Sequence, residues 1–175
     1  ILIIGGSQGA NIFDKNLKNI LVNISKKHSI RILHQTREDN ISNLQNFYLS
    51  NNLENKIFSF DRNLSTIMLQ ADLCITRAGA SSLAELSALC IPFIAVPLPT
   101  ARDDHQSANA NFYKDKECCW IIEQSDFEQK IEDFLRDIIE DQSDYIKKKE
   151  SLEKLNYGNS WINVNQKILI SIDEN

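Results

Sequence analysis

The chain opens with ILIIGGSQGA (residues 1–10), in which four apolar residues run directly into a glycine-rich turn. Ile1 to Ile4 has the length and composition of a buried strand, and apolar residues at helical spacing begin at Phe13. A strand that leads through a tight turn into a helix is the repeating unit of a parallel α/β sheet. The stretch therefore predicts that fold class and marks the turn as the first candidate ligand site.

The same alternation of short apolar runs and amphipathic stretches continues along the chain. Further strands are predicted at residues 30–34, 57–60, 72–76, 93–96 and 118–122. Helices are predicted at 13–24, 38–52, 64–69, 81–89, 104–115 and 127–138, with helical sequence from there to residue 172. Right-handed crossovers then give a Rossmann-like, doubly wound parallel sheet of about six strands with helices on both faces. Ligands of such sheets bind beyond the carboxyl ends of the strands.

Composition limits the classes of protein to consider. The 175 residues suit a single domain, and 42% hydrophobic with 25% charged residues is ordinary for a globular fold. No run of about 18 uncharged apolar residues is present, which excludes a membrane-spanning helix. The net charge of −5 argues against sequence-independent binding of nucleic acid. The chain has no initiator Met and starts inside a strand, so we expect it to be a piece of a longer protein.

The four cysteines favour reduced, structural thiols in a cytosolic compartment. Three of them lie in apolar segments, and Cys118 and Cys119 are adjacent, which is poor geometry for a disulfide. No CxxC pair or Cys/His spacing typical of metal ligands occurs, so no metal site is predicted.

The glycines are unevenly distributed. Of five in the chain, Gly5, Gly6 and Gly9 lie in the first strand–helix loop and Gly79 follows the fourth predicted strand. Glycine lets backbone N–H groups approach a ligand closely, and the helix start behind each loop favours an anion. Two such loops on one sheet edge would suit a diphosphate. Tight strand–helix turns also contain glycine without binding anything, so neither loop decides the matter alone.

Dinucleotide and P-loop sites are both disfavoured. The first loop spaces its glycines as G-G-x-x-G and lacks the G-x-G start of the dinucleotide fingerprint. The second strand ends in His34-Gln35, where an NAD site would place an acid for the adenosine ribose. The GK[ST] element of a P-loop is also missing.

The segment TRAGASSLAEL (residues 76–86) combines a loop with a helix start. Ala80, Ser81 and Ser82 begin the helix, where free N–H groups can bind phosphate oxygens. Glu85 lies one turn inside it and could accept two hydrogen bonds from a vicinal diol such as a ribose. Taken alone, Glu85 is more simply an exposed helical glutamate.

Three prolines around the fifth strand, at 92, 97 and 99, predict a rigid loop before the next helix. Asp103 or Asp104 is expected to cap that helix. His105 and Gln106 would then lie on its first turn and face the strand ends, where imidazole and amide groups suit sugar hydroxyls.

No nucleophile triad or carboxylate pair for hydrolysis stands out. The residues alone thus favour a site for a nucleotide with a diphosphate and a polar sugar.

Four motifs in this order resemble the C-terminal half of the MurG family of bacterial N-acetylglucosaminyltransferases, glycosyltransferase family 28. They are GGSQGA (5–10), R-x-G-A-x-x-x-x-E (77–85), IPFIAVPLP (91–99) and DDHQSANA (103–110). The resemblance is strongest over residues 1–122, and beyond them only the helical pattern agrees. It implies that residues 1–175 form one UDP-sugar-binding lobe of a GT-B fold, with a C-terminal helix at 155–175 and the N-terminal acceptor domain absent.

The resemblance also implies roles for individual residues. Glu85 would bind the ribose of uridine, and the backbone near Phe60-Asp61 would face the uracil. The diphosphate would lie near Ser7, Gln8, Arg77, Gly79, Ala80 and Ser81. His105 and Gln106 would contact the N-acetylglucosamine, with Asn109 behind them. No metal and no cofactor is implied.

The implied reaction is the inverting transfer of N-acetylglucosamine from UDP-N-acetylglucosamine to lipid I, undecaprenyl-pyrophosphoryl-MurNAc-pentapeptide, in peptidoglycan synthesis. Lipid I would bind the missing N-terminal domain, which would also supply the base, so no catalytic residue is predicted here and the chain alone is expected to be inactive. The family implies a peripheral protein on the cytoplasmic face of the inner membrane, with cell-wall or division proteins as further partners. Two alternatives stay open: a UDP-N-acetylglucosamine 2-epimerase-like enzyme and a non-catalytic, split UDP-N-acetylglucosamine-binding subunit.

Overall fold

Six short strands pair in parallel in the computed structural model, which describes the backbone of residues 1–158 and the side chains of residues 1–5 and 11–156. The strands are β1 (Leu2–Ile4), β2 (Ile32–Gln35), β3 (Asn55–Phe58), β4 (Cys74–Thr76), β5 (Phe93–Ala95) and β6 (Cys119–Ile121). Their order across the sheet is β3-β2-β1-β4-β5-β6. The predicted doubly wound parallel sheet is therefore confirmed.

Helices connect the strands and follow the last one. They are α1 (Gly6–Ser25), α2 (Ile41–Ser50), α3 (Leu64–Met68), α4 (Ala80–Ala88), α5 (His105–Lys114), α6 (Phe127–Glu140) and α7 (Gln142–Gly158). A 3₁₀ turn precedes α2 (Glu38–Asn40) and another precedes α5 (Arg102–Asp104), and these turns overlap the start of the helices predicted at 38–52 and 104–115. Of the C-terminal helix expected at 155–175, α7 accounts for the part up to Gly158, and residues 159–175 lie outside the described residues.

The sheet is buried on both faces, which explains why its strands are apolar at consecutive positions. Alternate residues point to opposite sides: Ile3 and Ile75 face one core, whereas Leu2 and Cys74 face the other. The first core is completed by helices α1, α2 and α6, and includes an edge-to-face contact between Phe13 and Phe127 with ring centroids 5.5 Å apart. The second core is completed by α3, α4, α5 and α7.

All four cysteines are free thiols, and three of them are buried. Burial raises the pKa of the Cys119 thiol to about 12 and raises that of Cys74 further, so both remain protonated at neutral pH. The structure thus agrees with the prediction of unpaired, structural thiols.

Within the described residues, no cluster of His, Cys, Asp or Glu side chains is placed to hold a metal ion. No helix in the described part of the chain combines the length and the apolar character needed to cross a bilayer.

The chain reverses its direction of winding between β1 and β4, which lie side by side at the centre of the sheet. Ile4, the last residue of β1, pairs with Thr76, the last residue of β4. Because the strand order runs outward from these two strands in opposite directions, their carboxyl ends form a topological switch point. A crevice opens there in doubly wound sheets, and the two glycine-containing loops both begin at it.

Candidate functional site

The loops after β1 and β4 leave the sheet as neighbours. The backbone nitrogen of Arg77 donates to the carbonyl of Ile4 at 3.2 Å, which joins the two loops where they start. Gly5 is the N-cap of α1, and Gly79 is the N-cap of α4. Neither of these N-cap residues makes a side-chain capping hydrogen bond. The structure thus brings together the two helix N-termini that the sequence marked as candidate anion sites. Among the side chains that the structure describes, none accepts a hydrogen bond from their first N–H groups.

Gly79 borders open space. Its backbone angles, φ −71° and ψ 134°, are available to any residue, so its conformation does not require glycine. A Cβ atom built there meets nothing within 4 Å, so internal packing does not require glycine either. The lack of a side chain instead keeps free the volume in front of α4. That is the property needed where a ligand approaches the backbone closely.

Glu85, Ala80 and Ser81 lie on α4 and are exposed. The carboxylate of Glu85 makes no ion pair or hydrogen bond with the described part of the chain. An unpaired carboxylate on the helix that starts at Gly79 is available to accept hydrogen bonds from a ligand.

Gln106, on the first turn of α5, bridges the loops after β4 and β5. Its side-chain oxygen accepts hydrogen bonds from the backbone nitrogens of Ala78 at 3.2 Å and Leu98 at 3.0 Å. Both partners are N–H donors, so the amide oxygen is fixed towards them and the NH₂ group is left free to donate elsewhere. Asn109, one turn later, donates to the carbonyl of Ala78 at 3.0 Å. Gln106 and Asn109 thus both bond to the loop after β4, and Gln106 also bonds to the loop after β5.

His105 is exposed at the start of α5, and its Nδ1 lies 2.5 Å from the carbonyl oxygen of Arg102. A carbonyl only accepts, so Nδ1 carries the hydrogen, and in the neutral ring Nε2 remains an acceptor. The predicted capping of this helix by Asp103 or Asp104 is wrong. Both residues have a left-handed backbone with φ 51°, and the Asp104 carboxylate accepts the hydroxyl of Ser107 at 2.6 Å instead of a backbone N–H.

Arg77 is buried, with 8% of its surface exposed, and its guanidinium contacts other loops. Nη1 donates to the carbonyls of Val96 at 3.1 Å and Pro97 at 3.2 Å, and Nη2 donates to the side-chain oxygen of Gln124 at 2.6 Å. The guanidinium carbon lies 5.4 Å from the centroid of the Phe13 ring. Arg77 thus links the loops after β4, β5 and β6, and its side chain is directed into the protein.

The remaining candidates lie at the same carboxyl edge of the sheet. Asp61 follows β3, and its Oδ1 accepts the backbone N–H of Asn63 at 2.8 Å, which shapes a turn. The neighbouring Phe60 is 79% exposed, the most exposed large apolar side chain among the described residues. Ser7 and Gln8 belong to the first turn of α1, but their side chains lie outside the described residues.

Sequence reasoning missed a buried polar cluster beneath the loop after β2. His34 is fully buried. Its Nε2 lies 3.0 Å from Oδ1 of Asp14, without the alignment of a hydrogen bond, and its Nδ1 lies 3.1 Å from the hydroxyl of Tyr48. Thr36 and Asn40 donate to the other Asp14 oxygen at 2.6 and 2.9 Å. The available signal was an acid beside Phe13 on the apolar stripe of α1.

Burial and hydrogen bonding act in opposite directions on this cluster. Burial lowers the pKa of His34, which the nearby Asp14 only partly offsets. Burial would raise the pKa of Asp14, but His34, Thr36 and Asn40 together lower it below its usual value. The ionised Asp14 and a neutral His34 are therefore the stable pairing. The cluster borders an open groove of about 490 Å³ between α1 and α2.

Comparison with protein families gives a match over residues 1–159 to the glycosyltransferase family 28 C-terminal domain. A relative from Pelagibacter ubique, named UDP-N-acetylglucosamine--N-acetylmuramyl-(pentapeptide) pyrophosphoryl-undecaprenol N-acetylglucosamine transferase, is 41% identical over the whole chain and 49% of its own length. A protein of the same name from Sulfurovum is 39% identical over 82% of the chain and 42% of its own length. The chain thus spans about half the length of the curated relatives that it matches.

Two solved structures share the fold. MurG of Acinetobacter baumannii superposes with a TM-score of 0.75 at 28% identity, over 87% of this chain and 44% of that protein. UGT2 of Phytolacca americana, solved with UDP-2-fluoro-glucose and pterostilbene, gives a TM-score of 0.67 at 14% identity, over 99% of this chain and 41% of that protein. At that identity the second match concerns the fold alone.

Proposed function

The chain belongs to the glycosyltransferase family 28 C-terminal domains, and on that premise we propose that it is the donor-binding half of an inverting N-acetylglucosaminyltransferase. Its ligand is UDP-N-acetylglucosamine, the sugar nucleotide in the names of its relatives. The complete enzyme transfers N-acetylglucosamine to undecaprenyl-pyrophosphoryl-MurNAc-pentapeptide, which converts lipid I to lipid II.

The observation that carries this proposal is the pair of uncapped helix starts at the switch point between β1 and β4. Each presents N–H groups and the positive end of a helix dipole, and together they suit the two phosphates of a nucleoside diphosphate. The open volume at Gly79 leaves room for the phosphate oxygens close to the backbone of Ala80 and Ser81. Ser7 and Gln8 belong to the other helix start.

Groups around these helix starts are available to the other parts of the donor, which are the ribose, the N-acetylglucosamine and the uracil. Glu85 offers an unpaired carboxylate to the ribose hydroxyls. Gln106 offers its free NH₂ group to the sugar, and the exposed Nε2 of His105 offers an acceptor beside it. Asn109 holds Ala78 in place rather than reaching the ligand. The loop of Phe60 and Asp61 borders the uracil.

Transfer of the sugar leaves UDP with additional negative charge on its terminal phosphate. N–H groups fixed in advance by the fold stabilise that charge without a reorganisation cost. The acceptor hydroxyl needs a base on the opposite face of the sugar, and we assign that base and the lipid site to the other half of the protein. The chain alone should therefore bind donor without transferring it, and the complete protein should act at the cytoplasmic face of the membrane.

Titration calorimetry of the 175-residue chain tests the proposal. We expect heat of binding with UDP and with UDP-N-acetylglucosamine, much weaker binding of ADP, and no binding of NAD. Equal affinity for UDP and ADP would contradict the assignment of a uridine site. Analysis of the sugar after incubation adds a second check, because the appearance of the 2-epimer without any acceptor would identify an epimerase instead.

A further inference from the structure

Arg77 is a buried cation whose partners in the structure are all neutral. Its guanidinium contacts two backbone carbonyls, the amide oxygen of Gln124 and the face of Phe13, and Nε is buried without an acceptor. Burial lowers the pKa of Arg77, and no neighbouring carboxylate raises it. An arginine nevertheless stays charged in a protein. Within the described residues, the positive charge of Arg77 is therefore not balanced by an anion.

Acids are available nearby in the sequence but do not pair with this charge. Asp126 pairs with Lys130 at 2.5 Å, and Glu123 is exposed to solvent. At position 124 the chain has glutamine, whose amide oxygen accepts the bond from Arg77 without bringing a negative charge. A glutamate there would make a stronger, charge-assisted bond with similar geometry. If the only role of Arg77 were to hold the loops together, a glutamate at position 124 would hold them more strongly than the glutamine does.

The backbone of Arg77 lies beside the two uncapped helix starts, and its buried guanidinium contacts Phe13 on α1. Arg77 is two residues before Gly79, and consecutive Cα atoms are about 3.8 Å apart, so the two Cα atoms lie within about 7.6 Å. The backbone nitrogen of Arg77 also bonds to Ile4, directly before the N-cap of α1. Because Arg77 is buried, the field of its charge is screened little by salt or water.

We infer that Arg77 serves as an uncompensated cation whose field attracts the diphosphate of the nucleotide without touching it, and that Gln124 is the residue that keeps it uncompensated. The inference rests on the proposed function, since it concerns the same diphosphate. Gln124 is thus an electrostatic determinant of donor affinity, located in the loop after β6 and outside direct contact with the ligand.

The substitution Gln124→Glu tests the inference, because it keeps the bond to Arg77 and neutralises the charge. We expect the variant to unfold at a higher temperature than wild type and to bind UDP on the order of tenfold more weakly. Its affinity for uridine, which has no phosphate, should be unchanged in NMR titrations. Gln124→Ala removes the bond without adding charge, and its UDP affinity should stay within about threefold of wild type.

Gln142→Glu is the matched control, because it adds the same charge at the opposite, amino edge of the sheet, in a groove lined by Ile1 and Asp72. Its UDP affinity should equal that of wild type. Unchanged UDP affinity in Gln124→Glu would overturn the inference. A loss of UDP affinity in Gln124→Ala as large as that in Gln124→Glu would also overturn it, because the role of Gln124 would then be purely geometric. A wild-type chain that binds no UDP would instead overturn the proposed function itself.

Discussion

The side-chain oxygen of Gln106 lies 3.2 Å from the backbone nitrogen of Ala78 and also accepts the N–H of Leu98. Replacing this residue with Met leaves both N–H groups without an acceptor. Each unsatisfied donor costs about 1–3 kcal/mol when buried, and these two are partly buried. We therefore expect Gln106→Met to lower the free energy of unfolding by about 2 kcal/mol, measured by urea denaturation.

Gln106→Glu is the matched control for this bridge, because a carboxylate still accepts both N–H groups. Its free energy of unfolding should stay close to that of wild type. The variant has lost the NH₂ donor, however, so UDP-N-acetylglucosamine should lose its advantage in affinity over UDP. Equal stability of the Met and Glu variants would show that the bridge does not hold the two loops.

Gly79→Ala tests whether the glycine is required for stability or for binding of the ligand. The added methyl group meets nothing within 4 Å, and the backbone angles suit alanine. Stability should be unchanged or raised by up to about 1 kcal/mol, since alanine restricts the unfolded chain. UDP affinity should fall roughly tenfold or more if a phosphate occupies that space, as measured by calorimetry. A stable variant with wild-type affinity would show that the open volume is not used.

The sequence predicted the position of these loops well because the signals for strands and turns are local. The apolar runs of the strands and the glycine of the loop after β4 are contained within a few residues, and strand order then brings the loops after β1 and β4 together. The direction of Arg77 could not be predicted in this way. Its partner Gln124 is 47 residues away, and their contact depends on how β5 and β6 add to the sheet. The same holds for Asp14 and Thr36, which are 22 residues apart.

The start of α5 shows a second limit of sequence reasoning. An aspartate before a helix is a common cap, and Asp104 does occupy the N-cap position. The left-handed backbone at Asp103 and Asp104 redirects the carboxylate to Ser107, so the expected backbone bond does not form. The type of residue predicted the position of the helix start correctly but not its hydrogen bonding, which depends on backbone angles that composition does not reveal.

Glu85→Ala tests the contact proposed for the ribose. Glu85 is exposed and without partners among the described residues, and alanine favours helix, so stability should change by less than about 0.5 kcal/mol. Loss of hydrogen bonds to a charged group corresponds to a roughly ten- to hundredfold weaker binding of UDP. Wild type should also prefer UDP to 2′-deoxy-UDP, and the variant should not. A variant that keeps this preference would place the ribose elsewhere.

The contact between His34 and Asp14 predicts how stability depends on pH. Burial lowers the pKa of His34 below its usual 6.5, so the unfolded chain takes up a proton that the folded protein excludes. The free energy of unfolding should therefore fall as the pH drops below about 6.5, by up to about 1.4 kcal/mol per pH unit. Asp14, whose pKa is lowered, adds a further loss only below about pH 4.

Urea denaturation between pH 7.5 and 5 measures this slope, and His34→Gln should flatten it because glutamine does not titrate. The direction in which the free energy of unfolding changes with pH decides between a neutral and a protonated His34. If His34 were held protonated by Asp14 in the folded protein, stability would rise on acidification through the same range, and His34→Gln would remove that rise. A wild-type curve that rises towards pH 5 would therefore contradict the neutral, buried histidine.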